Sequence, residues 1–239
     1  VRLLAIDTSN QTLSIAICED QRILGEYTTT VKKNHSLTLM PAINDLTKAV
    51  GLSPHDIDRL VVAKGPGSYT GLRIGVTTAK TLAYTLKKEL VGVSSLKVVA
   101  ANCVGAQGII VPLFDARRNN VYAGAYTLKQ NQWQTVLKDR HIALASLLEQ
   151  LQEFPKVSFV GADVEKFKDI IAADLPNANV ITIPQWQIPH GTVLAELGRT
   201  AEPVTDIHGF LPDYLKKVEA EENWLKTHQV EDTNYVEKL

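Results

Sequence analysis

Apolar and polar residues fall into short blocks from the first position of the chain. RLLAID (2–7), TLSIAIC (12–18) and RILGEYTT (22–29) are rich in aliphatic and β-branched residues. Ser9-Asn10-Gln11 and Glu19-Asp20-Gln21 break them, so the pattern predicts three strands. Breaks this short predict an antiparallel meander, because parallel neighbours need a long crossover. From Ser36 to Val50 the period changes. Leu39, Met40, Ile43, Leu46 and Val50 fall on one helical stripe, Pro41 sits near the helix start where its missing N–H costs little, and Gly51 ends the run. LVVA (60–63) predicts a buried strand, followed by a glycine-rich turn and a second helix over Thr70–Lys88. There Gly75, Ala79 and Ala83 recur every fourth residue and leave a nearly smooth face that another backbone could approach, beside Leu72, Val76, Leu82 and Leu86. LVGV returns as a strand to Val93, before a helix over Leu96–Ala101.

The second half repeats this order in weaker form. GIIVPLFDA (108–116), NVYAGAYTL (120–128) and QWQTVLK (132–138) predict another meander. A helix over Leu144–Gln152, a strand VSFVGA (157–162), a helix over Val164–Ala173 and a strand NVITI (179–183) follow. VLAELGRTA (193–201) predicts a helix, and the charged stretch from Pro212, which begins DYLKKVEAEENWLK, a short helix and a frayed end. The expected division falls near Cys103, giving units 1–103 and 104–239. The order β-β-β-α-β-α-β resembles the ribonuclease-H-like half of the actin, sugar-kinase and chaperone superfamily. The expected fold class is therefore α/β, two ribonuclease-H-like subdomains of the actin-like ATPase (ASKHA) superfamily. The duplication rests on element order alone.

Composition narrows the function classes. Lys+Arg number 25 and Asp+Glu 26, for a net charge of −1. A domain that binds nucleic acid by itself usually carries a basic excess, so a role in RNA chemistry predicts a more basic partner. Two cysteines, Cys18 and Cys103, suggest a reducing compartment and no disulfide framework. No apolar run approaches the roughly 18 residues that span a bilayer. VRLLAIDTS meets Asp7 too early for a signal peptide, so the expectation is a cytoplasmic protein. The histidines, His35, His55, His141, His190, His208 and His228, contain no helical pair and read as surface or capping residues. No Gly-x-Ser-x-Gly elbow is present.

The most specific run is KGPGSYTGLRIGV (64–76). Gly65, Pro66, Gly67 and Gly71 make a tight strand-to-helix turn. Its N–H groups could hold an anion, or the turn could simply pack the helix close to the sheet. No Gly-Lys-Ser/Thr follows, so it is not a Walker loop. IDTSNQTLSIAI (6–17) places Asp7, Thr8 and Ser9 at a strand end, where Asp7 could serve a metal-bound phosphate or merely cap the turn. Asp115 and Arg117, with Asn120-Val121-Tyr122 following, could contact a ligand or a partner, or pair with each other.

These three segments resemble the TsaB family and, in the glycine-rich run, its catalytic relative TsaD. The resemblance covers nearly the whole chain. It implies that Asp7, Thr8 and Ser9 match the first phosphate turn of the superfamily and Asp115 and Arg117 the second. Thr8 stands where many active members carry glycine, and Gly161-Ala162-Asp163 departs from the expected adenosine-proximal turn. TsaD-type subunits carry an HxxxH pair after the fifth strand, and Ser95 and Val99 occupy those places here. The resemblance thus implies no catalytic residue, no metal and no firmly bound cofactor in this chain, with ATP or ADP expected only in the assembled complex.

The implied role is that of a supporting subunit. TsaB binds TsaD, and with the ATPase TsaE they install threonylcarbamoyl on adenosine 37 of tRNA, using threonylcarbamoyl-adenylate made elsewhere. The expected partners are TsaD, TsaE and, through the complex, tRNA, with a homodimer when the chain is alone. The expected partner surface is Leu39, Met40, Ile43 and Leu46 on the first helix and Leu72, Gly75, Val76, Ala79 and Ala83 on the second. Two other readings stand beside it: an independent ATPase or small-molecule kinase on the same fold, and a peptidase acting on a partner protein.

Overall fold

The computed structural model describes residues 1–31 and 34–216. The helix expected in the charged tail past residue 216, and His228, lie outside the described residues. β1 (Arg2–Asp7), β2 (Leu13–Glu19) and β3 (Arg22–Thr29) form the expected antiparallel meander, with Ala5 opposite Ala16. α1 (His35–Ala49) carries the chain across to β4 (Arg59–Gly65), which lies parallel to β1. α2 (Tyr69–Leu86), β5 (Glu89–Ser94) and the short α3 (Ser95–Ala101) complete a five-stranded sheet of order β3-β2-β1-β4-β5. β1 and β2 are buried on both faces, which explains why they read as continuous apolar runs and not as alternation.

β6 (Ile109–Asp115), β7 (Asn120–Lys129), β8 (Gln132–Ala143), α4 (Leu144–Leu151), β9 (Val157–Val160), α5 (Lys168–Asp174) and β10 (Asn179–Val180) build the second sheet, of order β10-β9-β6-β7-β8. Its core gathers Val111, Leu113, Val121, Leu147, Phe159 and Val164. Three details differ from the sequence reading. β8 runs on to Ala143, paired with β7 along its length. The helix expected from Val164 opens as a 3-10 turn over Val164–Phe167. The strand expected over 179–183 pairs only at Asn179 and Val180.

Pro41 is not at the start of α1 but inside it, at the seventh residue. It lies on the exposed face, where the helix tolerates the lost N–H. The helix begins instead at Asn34, whose side chain accepts the Ser36 N–H. The division 1–103 and 104–239 also needs correction. α6 (Gly191–Arg199) returns to the first sheet, and the Gly191 N–H donates to Ser14 Oγ at 2.7 Å. Gly191 and Gly198 approach Ile15–Ala16 and Val61 so closely that a Cβ at either would lie within 3.0 Å of them. Past α6 the chain runs as a strap along β5 and α2. Val204 N–H donates to Leu90 O at 2.7 Å and Asp213 N–H to Lys64 O at 2.7 Å. Residues 191–213 thus pack with the first sheet.

The first sheet is covered on one face by α1 and α2, through Leu39, Ile43, Val76, Ala79 and Ala83, and on the other by α3 and α6, through Val98 and Leu194. This corrects the expected partner surface. Leu39, Ile43, Leu46, Leu72, Gly75, Val76, Ala79 and Ala83 all turn inward, while Met40 is 48% exposed. The small-residue stripe is used, but by the chain's own sheet. No helix among the described residues is long and apolar enough to cross a membrane.

Candidate functional site

β1 ends in the turn Asp7-Thr8-Ser9, which lies against the glycine-rich turn between β4 and α2. Asp7 is fully buried, and its Oδ1 accepts the Ser9 N–H at 2.8 Å. Its Oδ2 and the Ser9 Oγ have no hydrogen-bond partner among the described residues. Burial pushes the Asp7 carboxyl up to about 6, against the pull of Ser9 and His35. Thr8 Oγ1 donates to Gly71 O at 2.8 Å, and Ser68 N–H donates to Ser9 O at 2.6 Å. A Cβ on Gly67 would lie 2.1 Å from Ser9 O, and one on Gly71 would lie 2.1 Å from Thr8 O. One on Gly75 would lie 2.4 Å from Thr8 Oγ1. The glycines are therefore what let the two turns touch. The Ser9 and Thr8 carbonyls occupy the space that side chains at Gly67 and Gly71 would fill.

The second turn, unlike the first, pairs both oxygens of its carboxylate within the chain. Arg117, Arg118 and Asn119 follow β6 in left-handed conformation, with φ of 66, 52 and 56°. Asp115 Oδ1 accepts the Arg117 N–H at 2.8 Å, and its Oδ2 accepts Lys166 Nζ at 3.0 Å. Lys166 also donates to Asp163 Oδ1 at 2.7 Å, while Asp163 Oδ2 accepts the Asp115 N–H at 3.0 Å. Burial raises the Asp115 carboxyl, but the Arg117 N–H and the Lys166 ammonium outweigh it and hold it below the usual range. A lysine ammonium thus already bridges the two carboxylates, and the third turn, Gly161-Ala162-Asp163, is spent on the second.

Between the two sheets lies a cleft of about 460 Å³. Gly67, Asp115 and Arg117 line it, with Tyr69, Tyr122 and Tyr214. Gly65 packs under the strap instead, its Cα facing Asp213 O, and Asp7, Thr8 and Ser9 are buried behind the glycine turn. Tyr214 stacks on Tyr69 with ring centroids 4.7 Å apart.

The family described as TsaD, tRNA N6-adenosine threonylcarbamoyltransferase, matches residues 22–224. The tRNA threonylcarbamoyladenosine biosynthesis protein TsaB of Bacillus subtilis is 44% identical over 95% of this chain and 99% of its own length. The chain belongs to the TsaB family. The TsaB protein of Escherichia coli is 32% identical over 55% of this chain and 57% of its own. Among solved structures, YeaZ from Pseudomonas aeruginosa matches with a TM-score of 0.72 at 24% identity, covering 90% of this chain and 99% of that one. A ROK hexokinase from Thermus thermophilus matches at 0.50 and 7% identity over 82% of this chain and 98% of that one, a likeness of fold.

In this TsaB-family chain Ser95 and Val99 are both fully buried. Ser95 Oγ accepts the Gly65 N–H at 3.1 Å, so the residue at the first expected histidine place fastens α3 to the glycine turn. One polar cluster escaped the sequence reading. Ser94 Oγ and Tyr126 OH both donate to the carboxylate of Asp139, and this joins β5 of one sheet to β7 and β8 of the other. Burial raises the Asp139 carboxyl and pushes the Tyr126 phenol up as well. A Cβ on Gly124 would lie 2.3 Å from Asp139 Oδ1, so Gly124 was the one local signal.

Proposed function

We propose that this chain is a non-catalytic partner subunit of TsaD in the transfer of threonylcarbamoyl to adenosine 37 of tRNA. The observation that carries the reading is the closure of the first phosphate turn. Thr8 and Ser9 press on Gly67, Gly71 and Gly75, and Lys166 already bridges Asp115 and Asp163. A chain whose own phosphate turns are filled is suited to support a catalytic relative and not to hydrolyse ATP by itself. The names of its TsaB relatives point to the same chemistry.

The partner surface is then what the core leaves outside. Leu37 and Met40 are 72% and 48% exposed on α1. Beside Met40 a groove of about 350 Å³ runs between α1 and α2, lined by Leu52, Ile57, Leu82 and Leu86. TsaD would occupy this face in the heterodimer, and a second copy of the chain would occupy it otherwise. TsaE, and ATP or ADP, join in the assembled cytoplasmic complex.

The test is co-elution of the purified chain with TsaD on size exclusion, with ATP turnover measured on the chain alone. The expected result is a heterodimer that Met40→Glu weakens at least about ten-fold, and no turnover by the chain alone. Turnover near the usual enzyme range of roughly 1 per second, abolished by Asp7→Ala, would overturn the reading. So would failure to co-elute with TsaD.

A further inference from the structure

The stretch 59–88 contains Arg59, Lys64, Arg73, Lys80, Lys87 and Lys88 and not one Asp or Glu. In a chain of net charge −1 this is a local reversal of sign. Arg59 is neutralised by Glu89 at 2.6 Å, and Lys64 lies 4.0 Å from Asp213. The other cations have no carboxylate within 4.0 Å among the described residues. Lys80 Nζ is held at 2.7 Å by the carbonyls of His208 and Phe210, which fix the ammonium but leave its charge uncompensated.

Position on α2 sharpens the pattern. At 3.6 residues per turn, Tyr69, Arg73, Lys80, Tyr84 and the C-cap Lys87 fall within an arc of about 60°. They form a stripe roughly 27 Å long at 1.5 Å per residue. Leu82 and Leu86 lie on a different flank, toward the α1 groove. Tyr69 and Tyr84 are 44% and 60% exposed, large values for aromatic rings on a helix with a well-packed inner face. Neither ring is loose. Arg73 lies over Tyr69 at 5.5 Å and Tyr214 stacks on it, while His208 packs edge-on against Tyr84 at 4.5 Å. The strap that brings His208 and Tyr214 therefore props both rings and covers each only in part.

We propose that this stripe binds a single-stranded RNA segment, with phosphates on Arg73, Lys80 and Lys87 and unstacked bases on Tyr69 and Tyr84. Cations interspersed with partly exposed aromatic rings along one helix face match a strand whose charge repeats and whose bases are free to stack. An acidic protein would use the cations but has no need of two propped rings. A double helix would present no base faces. The stripe would give this chain a direct hold on the RNA that the complex modifies. In that respect the inference rests on the function proposed above, and it adds a contact made by this chain itself.

The experiment is fluorescence anisotropy of a labelled 12-nucleotide single-stranded RNA with the purified chain, titrated between 50 and 200 mM salt. Binding is expected to weaken with salt, with a log–log slope of about −2 for three phosphate contacts at about −0.7 each. Arg73→Gln with Lys87→Gln is expected to reduce the slope by more than half. Tyr84→Ala is expected to weaken binding about thirty-fold, at the middle of the range for one lost base stack. Lys129→Gln, on the second sheet, is the control and is expected to change neither. No binding at 50 mM salt overturns the proposal. So does binding that the stripe variants leave unchanged, or that a poly-glutamate peptide or a duplex of equal length matches in affinity. Co-elution of Arg73→Gln/Lys87→Gln with TsaD is measured in parallel. Retained co-elution with lost RNA binding supports the stripe, and retained co-elution with no RNA binding by the unmodified chain sinks the stripe alone.

Discussion

Gly75 tests whether the small-residue stripe of α2 exists for the chain's own first turn. A Cβ at this position would lie 2.4 Å from Thr8 Oγ1, but its next neighbours, Thr8 Cβ at 3.6 Å and Val62 Cγ2 at 3.8 Å, are at ordinary contact distance. One oxygen atom therefore decides the outcome. Gly75→Ala alone should gain about 1 kcal/mol from helix propensity and lose about 1–3 kcal/mol to overpacking, a net loss of up to about 2 kcal/mol. Thr8→Ala removes the oxygen and also the hydrogen bond to Gly71 O, at a cost of about 1 kcal/mol. In that background Gly75→Ala meets no clash and should stabilise by about 1 kcal/mol. The cycle thus predicts a favourable coupling of about 1–3 kcal/mol between residues 67 positions apart in sequence. Guanidinium unfolding of the four proteins, followed by far-ultraviolet circular dichroism, measures it. Additivity within about 0.5 kcal/mol would refute the reasoning, because it would mean that Thr8 and Gly75 do not compete for the same space.

Two pH-linked predictions follow from buried and half-buried groups. Because burial raises Asp7 from 3.8 to about 6, the folded state holds its proton more tightly than the unfolded one, and stability falls as pH rises between those values. Asp7→Asn keeps an oxygen for the Ser9 N–H without the charge, so it should exceed the wild type at pH 7.5 by on the order of 3 kcal/mol, from roughly two pKa units. The two should converge near pH 4, and melting curves at the two pH values that show a constant offset would contradict this. His190 caps α6 and lies 3.5 Å from Glu26, whose bond raises it above 6.5, while burial of Glu26 is outweighed by His190 and Thr192, so that its carboxyl is lowered. The histidine's contribution is complete below about 6.5 and lost as pH rises through its raised value. The glutamate's is present above about 4.5 and lost as pH falls through its lowered one. The pair should therefore hold α6 most firmly between about pH 4.5 and 6.5, and the decline in melting temperature from pH 6 to 8.5 should shrink in His190→Gln. An unchanged decline in that variant would assign it to other groups.

The strands and helices of the first half were legible because each carries its own period. Apolar blocks at 2–7 and 12–18 with breaks of three or four residues leave few options but a meander, and the 3.6-residue stripe of α1 is plain from Leu39 to Leu46. What periodicity does not carry is which partner a face meets. Gly75, Ala79 and Ala83 announce a close approach, but the approaching atoms belong to Thr8 and to β4, and nothing within a helical window of the sequence points there. The same limit hid the return of residues 191–213, whose contacts with Ser14, Leu90 and Lys64 span more than a hundred positions. It hid the Ser94–Tyr126–Asp139 cluster too, since an isolated Asp on β8 reads as a solvated strand residue until β5 is laid against it. Lys80 is a further case: as sequence it is one more surface lysine, and only the strap's two carbonyls reveal an ammonium fixed in place.

The family signature itself changes meaning under this comparison. A glycine-rich turn ahead of a helix suggests a cradle for an anion, and here the expected residues are all present. Yet Gly67 and Gly71 each admit a backbone carbonyl at a distance that no side chain would allow, and those carbonyls come from Ser9 and Thr8. The Ser9 carbonyl accepts the Ser68 N–H at 2.6 Å, and Ser68 Oγ accepts the Gly71 N–H at 3.3 Å, so two N–H groups of the turn are already bonded within the chain. The motif is thus a lock between β1 and α2. The glycines, absent side chains in a phosphate loop and in a packing contact alike, cannot distinguish the two by themselves. Thr8 is the residue that favours packing, because its hydroxyl donates to Gly71 O at 2.8 Å and ties the end of β1 to the first turn of α2.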